Sequence, residues 1–367
     1  MHKNKILGSL IGGACGDALG YAVEFDSEET IQKTFGENGI TEYVLSPNGE
    51  ALISDDTQMT LFTANGLMSG IVKKFLKDNQ LILLDEISKS YLDWYTTQIN
   101  PHPIGRVQSS WIANLPQLYN LRAPGNTCIA GCYYGANGTI KNPINNSNGC
   151  GGVMRVAPIG LLYKETDENL IEKVDMFGME VAALTHGHPL GYIPAGALVH
   201  IINRITYANM TPLQATADSI LMLNRMFSGK FIDRFTEKMH YAIDLTEKNL
   251  SDVDCINKLG EGWTGYEALA IAVFCAIKYS EDFERGIIAA VNHSGDSDST
   301  GSITGNILGA YLGFDSIPKK FTEKLELLHL ITEISTDLYF CSNNLSQNAV
   351  YDDIWMQKYL YDTYCEI

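Results

Sequence analysis

The chain has 367 residues, 45% of them hydrophobic and 19% charged, enough to bury one large core. Its 26 basic and 43 acidic side chains leave a net charge of −17 with no basic arm, which argues against nucleic-acid and anionic-membrane partners. No uncharged apolar run approaches the length of a membrane span, and eight scattered cysteines without a Cys-x-x-Cys pair read as reduced thiols of a cytoplasmic protein.

Residues 4–24 read as the first helix. Gly8, Gly12, Gly16 and Gly20 recur at every fourth position and so share one helical face. Each glycine inside a helix costs about 1 kcal/mol relative to alanine, so four in register make sense where another backbone comes very close. Asp17 and Glu24 lie on a common face of this helix, and they interrupt the apolar run that a signal peptide would need. After a turn-rich stretch, Ser54-Asp55-Asp56-Thr57 opens a helical pattern that runs to residue 70. An acidic first turn suits the helix dipole, yet only one side chain can be the N-cap, so two adjacent aspartates exceed what capping needs. Residues 81–98 and 107–121 read as further amphipathic helices.

The segment 122–155 is dense in Gly, Asn, Pro and Ser and too long for a simple connector, which points to an ordered functional loop. Within it Ser147-Asn148-Gly149-Cys150-Gly151-Gly152, with Arg155 close behind, offers backbone amides to a phosphate. It is neither a Walker loop nor a dinucleotide fingerprint. Helices are expected over 168–186, 190–207, 212–228, 231–250, 264–280, 283–292, 301–313, 317–340 and 351–364. A lone histidine such as His186, between two of these, is more often a core or capping residue than a catalyst. Trp263 and Tyr266 sit in a glycine-rich turn and read first as core aromatics. Only 287–291 would suit a strand, so the chain is expected to form one all-α domain over 1–367.

A second glycine stripe, Gly301, Gly305, Gly309 and Gly313, follows Asp296-Ser297-Asp298-Ser299. The plain reading is an acidic helix cap. If Asp296 and Asp298 meet Asp55 and Asp56, however, four carboxylates would repel one another unless cations sat among them. An all-oxygen set completed by the hydroxyls of Ser54 and Ser299 suits two Mg²⁺ or Mn²⁺ ions rather than zinc. An EF-hand starting at Asp296 fails because Ile307 stands where a bidentate acid is required. A haloacid-dehalogenase-type Asp-x-Asp motif fails because it would follow a strand.

Seven motifs in order, GGACGDALGYAVEF, SDDTQMT, RAPGNTC, NGCGGVMRVAPIG, ALTHGHPLGY, GWTGYEALA and NHSGDSDSTGSITGN, resemble those of the ADP-ribosylglycohydrolases over nearly the whole chain. The resemblance implies an all-α fold with a two-metal centre, Mg²⁺ or Mn²⁺, at the foot of a cleft for ADP-ribose. It implies that Ser54, Asp55 and Asp56 form one metal cluster and Asp296, Asp298 and Ser299 the other, with serine where many relatives have threonine. Glu24, Asp55 and Asp298 are then the catalytic candidates. Ser147, Gly149, Cys150 and Gly151 match the phosphate loop, with Cys150 standing where relatives often have asparagine. His186 matches a ligand-contacting histidine, and Trp263 and Tyr266 are candidates for stacking on adenine. The implied activity is removal of ADP-ribose from modified proteins, from arginine first, with ADP-ribosylserine and O-acetyl-ADP-ribose as alternatives. The implied partners are the modified protein, ADP-ribose and a cognate ADP-ribosyltransferase. A non-catalytic relative that occludes such a transferase is the reading from a different class.

Overall fold

A computed structural model describes residues 1–77, 82–105, 107–164, 167–345 and 352–365. These form seventeen α-helices and four short 3₁₀ turns, and pairing of the β type is limited among them to three isolated bridges. The first helix, His2–Gly20, lies antiparallel against Ser297–Leu312 at the centre of the molecule, and both are buried along almost their whole length. The two glycine stripes interlock. A Cβ built on Gly12 would stand 2.6 Å from the Gly305 carbonyl oxygen, one on Gly16 2.0 Å from that of Gly301, and one on Gly8 2.2 Å from that of Gly309. No side chain fits such gaps, so the cost of glycine in a helix is offset by backbone-to-backbone packing. This register carries the end of the first helix to the start of its partner, which brings Asp17 and Glu24 beside Asp296 and Asp298.

The remaining helices wrap this pair, and no helix among the described residues is long and apolar enough to cross a membrane. All eight cysteines are free.

Two predicted helices are corrected. Residues 107–121 form only the 3₁₀ turns Trp111–Asn114 and Pro116–Leu118. There the buried Asp93 carboxylate takes the amides of Gln108, Ser109 and Ser110, at 2.8–3.0 Å, and Pro116 has none to give. The expected helix 317–340 is split into Lys319–Thr322 and Leu328–Asn344, with Leu327 left-handed between them (φ 58°). Residues 287–291 are helical, within Phe283–Val291. Helices at Glu28–Phe35, Ala157–Leu162 and Asp252–Leu259 went unanticipated, and the segment 122–155, expected to be a loop throughout, contains the helix Asn126–Tyr133. Residues 81 and 351, where two helices were expected to begin, lie outside the described residues.

Candidate active site

Three segments converge where the two central helices meet. Turns over 21–25 follow the first helix and carry Glu24, only 6% exposed. Asp55 and Asp56 occupy the first turn of the helix Asp55–Lys77, and Asp298 and Ser299 that of Ser297–Leu312. Glu24, Asp296 and Asp298 can each offer one oxygen within 4.8 Å of the others, and so can Asp55, Asp56 and Asp298. Asp298 belongs to both groups.

Capping does not explain these acids. Asp296 stands at the N-cap position of its helix but makes no capping hydrogen bond. At the other helix the amides go elsewhere: Asp56 donates to Ser54 Oγ (3.2 Å) and Thr57 to Asp17 Oδ2 (3.1 Å). One oxygen each of Glu24, Asp56 and Asp296 is buried without a hydrogen-bond partner. An unpaired carboxylate oxygen out of water is costly, and nothing in the protein relieves it. Burial first, and the neighbouring Asp298 second, push the Glu24 carboxyl up to about 10 and hold those of Asp55, Asp56 and Asp296 well above the usual carboxylate range. Orphaned oxygens, mutual repulsion and an all-oxygen donor set therefore fit hard divalent cations.

Asp17 had no role assigned from sequence beyond sharing a helical face with Glu24, yet it builds the site. Fully buried, it accepts hydrogen bonds from the amides of Ser54 (2.9 Å) and Thr57 and from the Thr57 hydroxyl. It thus locks the Ser54–Thr57 turn onto the first helix. Gly125 donates to Asp55 Oδ2 (3.1 Å) and the Arg122 carbonyl accepts from the Asp55 amide (2.9 Å), so RAPGNTC orients that carboxylate. Glu326 anchors the same strip by accepting from Arg122 (2.7 Å) and from the Ile53 amide (3.1 Å).

A cleft of about 270 Å³ rises from the carboxylates. Its walls include Gly125, Thr127, Gly149, Cys150, Gly151, His186 and Trp263, and among the described residues no lysine or arginine lines it. The phosphate-loop candidates are zipped to the 261–265 turn: the Cys150 amide donates to the Trp263 carbonyl (3.1 Å) and that of Gly265 to the Asn148 carbonyl (2.8 Å). The Gly149 amide is likewise engaged, with Ser147 Oγ (3.3 Å). Ser147 itself stands behind the wall, its hydroxyl 3.0 Å from Thr127 Oγ1. The Cys150 thiol faces Asp296 and Ser299; burial first, then the charges of Asp296 and Asp56, raise its pKa well above the ordinary value, against a smaller lowering by the Ser299 hydrogen bond.

Trp263 stands at the mouth, stacked on Phe25 with ring centroids 6.1 Å apart and planes 21° apart. Phe25 was not anticipated; its only signal in the sequence is that it follows Glu24. Tyr266 is not in the cleft. It is 3% exposed, lines a separate hollow with Arg234 and Lys238, and hydrogen-bonds Arg234.

The chain belongs to the ADP-ribosylglycohydrolase family, whose model matches residues 1–346. It is 26% identical over 340 residues to an uncharacterized protein of Archaeoglobus fulgidus, covering 92% of this chain and 96% of that one. It is 23% identical over 342 residues to the ADP-ribosyl-[dinitrogen reductase] glycohydrolase of Rhodospirillum rubrum, covering 88% and 91%. The match to human ADP-ribosylhydrolase ARH3, 26% identical over 212 residues, spans 49% of this chain and 54% of that protein. Among solved structures, an ADP-ribosylglycohydrolase-related protein complex shares the fold with a TM-score of 0.57 at 21% identity, over 93% of this chain and 99% of that one.

Proposed function

We propose that this protein is a divalent-cation-dependent hydrolase that removes ADP-ribose from modified proteins, with ADP-ribosylarginine as its substrate. The observation that carries the reading is the pair of buried carboxylate groups sharing Asp298 at the foot of the cleft. Family membership supplies the substrate class. The dinitrogen reductase glycohydrolase and a Danio rerio ADP-ribosylhydrolase ARH3 match over similar shares of the chain, so the arginine N-glycosidic bond rests on the motifs RAPGNTC and NHSGDSDST.

Asp55, Asp56 and Asp298, with Ser54, would hold one Mg²⁺ or Mn²⁺ ion, and Glu24, Asp296 and Asp298, with Ser299, the other. When bound, such ions fix hydroxyl oxygens and acidify a water. Hydrolysis breaks the bond from the anomeric carbon to the side-chain nitrogen, adds the water oxygen to that carbon and returns a proton to the leaving nitrogen. Positive charge builds on the ribose ring as the bond breaks. Glu24, at the rim of the carboxylate cluster and beside the open cleft, is placed to move that proton. Gly151 and His186 face a diphosphate, and the Phe25–Trp263 pair offers an aromatic edge to adenine at the mouth. The partners on this reading are the modified protein and, as its opponent, the ADP-ribosyltransferase that modifies it.

Incubation with proteins ADP-ribosylated on arginine or on serine, and with O-acetyl-ADP-ribose, tests this with Mg²⁺, with Mn²⁺ and with chelator. Release of ADP-ribose from the arginine conjugate, abolished by chelator, is expected. Release from the serine conjugate or the ester alone would move the assignment to an O-linkage. Binding of ADP-ribose without release from any conjugate would favour the occluding, non-catalytic reading.

A further inference from the structure

His186 is 1% exposed, and its Nε2 has no hydrogen-bond partner among the described residues, whereas Nδ1 has one. That nitrogen faces the glycine loop: a Cβ built on Gly151 would stand 3.1 Å from it, and one on Gly149 3.5 Å. The ring's other nitrogen, Nδ1, lies 2.8 Å from Thr185 Oγ1, and Thr185 Oγ1 lies 2.6 Å from Arg155 Nη2. A guanidinium only donates, so Thr185 accepts from Arg155. The one proton of the Thr185 hydroxyl then has a single acceptor at hand, His186 Nδ1. With that hydroxyl proton given to Nδ1, the ring's own proton sits on Nε2, directed at the cleft. The opposite arrangement, Nδ1–H donating to the second lone pair of Thr185, would leave the hydroxyl proton without an acceptor among the described residues.

Arg155 is unusual in its own right. It is fully buried and has no carboxylate partner among the described residues. The Tyr91 ring face at 4.3 Å, the Val181 carbonyl at 3.4 Å and the sulfurs of Met59 and Cys128 complete its surroundings. A buried, unpaired cation is expensive to keep, which calls for a task. Burial first and the Arg155 charge second drive the His186 pKa down to about 3, so the ring carries no charge near neutrality.

We infer that Arg155 and Thr185 are positioning residues that lock His186 as the Nε2–H tautomer and present it to the cleft as a directed hydrogen-bond donor. In a cleft whose described lining holds no lysine or arginine, that donor suits a phosphoryl oxygen and rejects a donor group at the same place. The ligand half of this inference rests on the ADP-ribose reading above; the tautomer half does not.

Ring-¹⁵N spectra of the whole protein test the tautomer directly. An unprotonated, accepting Nδ1 and a protonated Nε2, unchanged down to pH 5, are expected for wild type; a protonated Nδ1 overturns the inference without any variant being made. Thr185→Val removes the relay at nearly constant volume. It should lose the single-tautomer spectrum and weaken ADP-ribose binding, measured calorimetrically with Mg²⁺, by about tenfold, whereas Thr185→Ser restores both. A folded Thr185→Val protein that keeps the tautomer and the affinity overturns the relay. If wild type binds no ADP-ribose, the cleft assignment fails, and the wild-type spectrum still decides the relay.

Discussion

Asp298 faces two neighbouring groups of acids at once, and its charge opposes ionisation of Glu24, Asp55, Asp56 and Asp296. Asp298→Asn keeps the oxygen that accepts from the Ser299 amide and removes that charge. The variant should lose about 10³-fold or more in ADP-ribose release. Without metal it should be more stable than wild type, by about 1 kcal/mol, and Mg²⁺ should no longer raise its melting temperature. Thermal melts with and without Mg²⁺, beside a turnover assay, check all three. A second residue-scale prediction concerns His200, buried between Asp175 (2.7 Å) and Asp218 (3.2 Å), with Arg204 also on Asp218. Burial lowers its pKa, but the bonds to the two aspartates outweigh that and leave it above 6.5. A folded-state pKa above the unfolded one stabilises fully below about pH 6.5 and progressively less as pH rises through the folded value. The urea-midpoint gap between wild type and His200→Gln should therefore be wider at pH 6 than at pH 9. Among individual residues, the acids were legible because adjacent aspartates outnumber the caps a helix start can use. Asp17 was not, because its role depends on amides of a segment 37 positions away. Tyr266 was misplaced because the helix begins between the two residues: Trp263 stays in the turn before the N-cap Thr264, whereas Tyr266 lies inside Gly265–Lys278 and its hydroxyl meets Arg234.

At the level of elements, the seam between His2–Gly20 and Ser297–Leu312 sets the geometry of everything above it. Gly305→Ala would gain about 1 kcal/mol of helix propensity, but its methyl would stand 2.0 Å from the Gly12 carbonyl oxygen, and neither backbone can move alone. A loss of about 2–3 kcal/mol is expected, read as a lower urea midpoint with an unchanged slope. Cation affinity should fall with it, because the seam holds Asp298 against Asp17 and Glu24. The stripes were visible in sequence as a four-residue period, which is a property of one helix at a time. The failed helices have the opposite cause. At 107–121 a carboxylate from a neighbouring helix captured the amides, and at 317–340 Leu327 turned left-handed so that Glu326 could reach Ile53 and Arg122. Distant partners of this kind leave no local periodicity to read.

For the molecule as a whole, a charge of −17 and a cleft whose described lining holds no lysine or arginine oppose the approach of a diphosphate. Added salt screens that repulsion, so at saturating Mg²⁺ the KM for ADP-ribosylated protein should fall about two- to fivefold between about 20 and 300 mM KCl, with kcat little changed. A KM that rises with salt would mean that attraction, not repulsion, governs encounter.

The central seam also has a consequence for biosynthesis. The glycine face of the first helix leaves the ribosome long before its mate, which begins at Ser297, has been translated. Until then the nascent chain carries an uncovered, weakly helical segment that chaperones would need to shelter. Any transcript interrupted before the codon for Asp296 would yield most of the protein's mass with neither cation group complete, since Asp298 belongs to both.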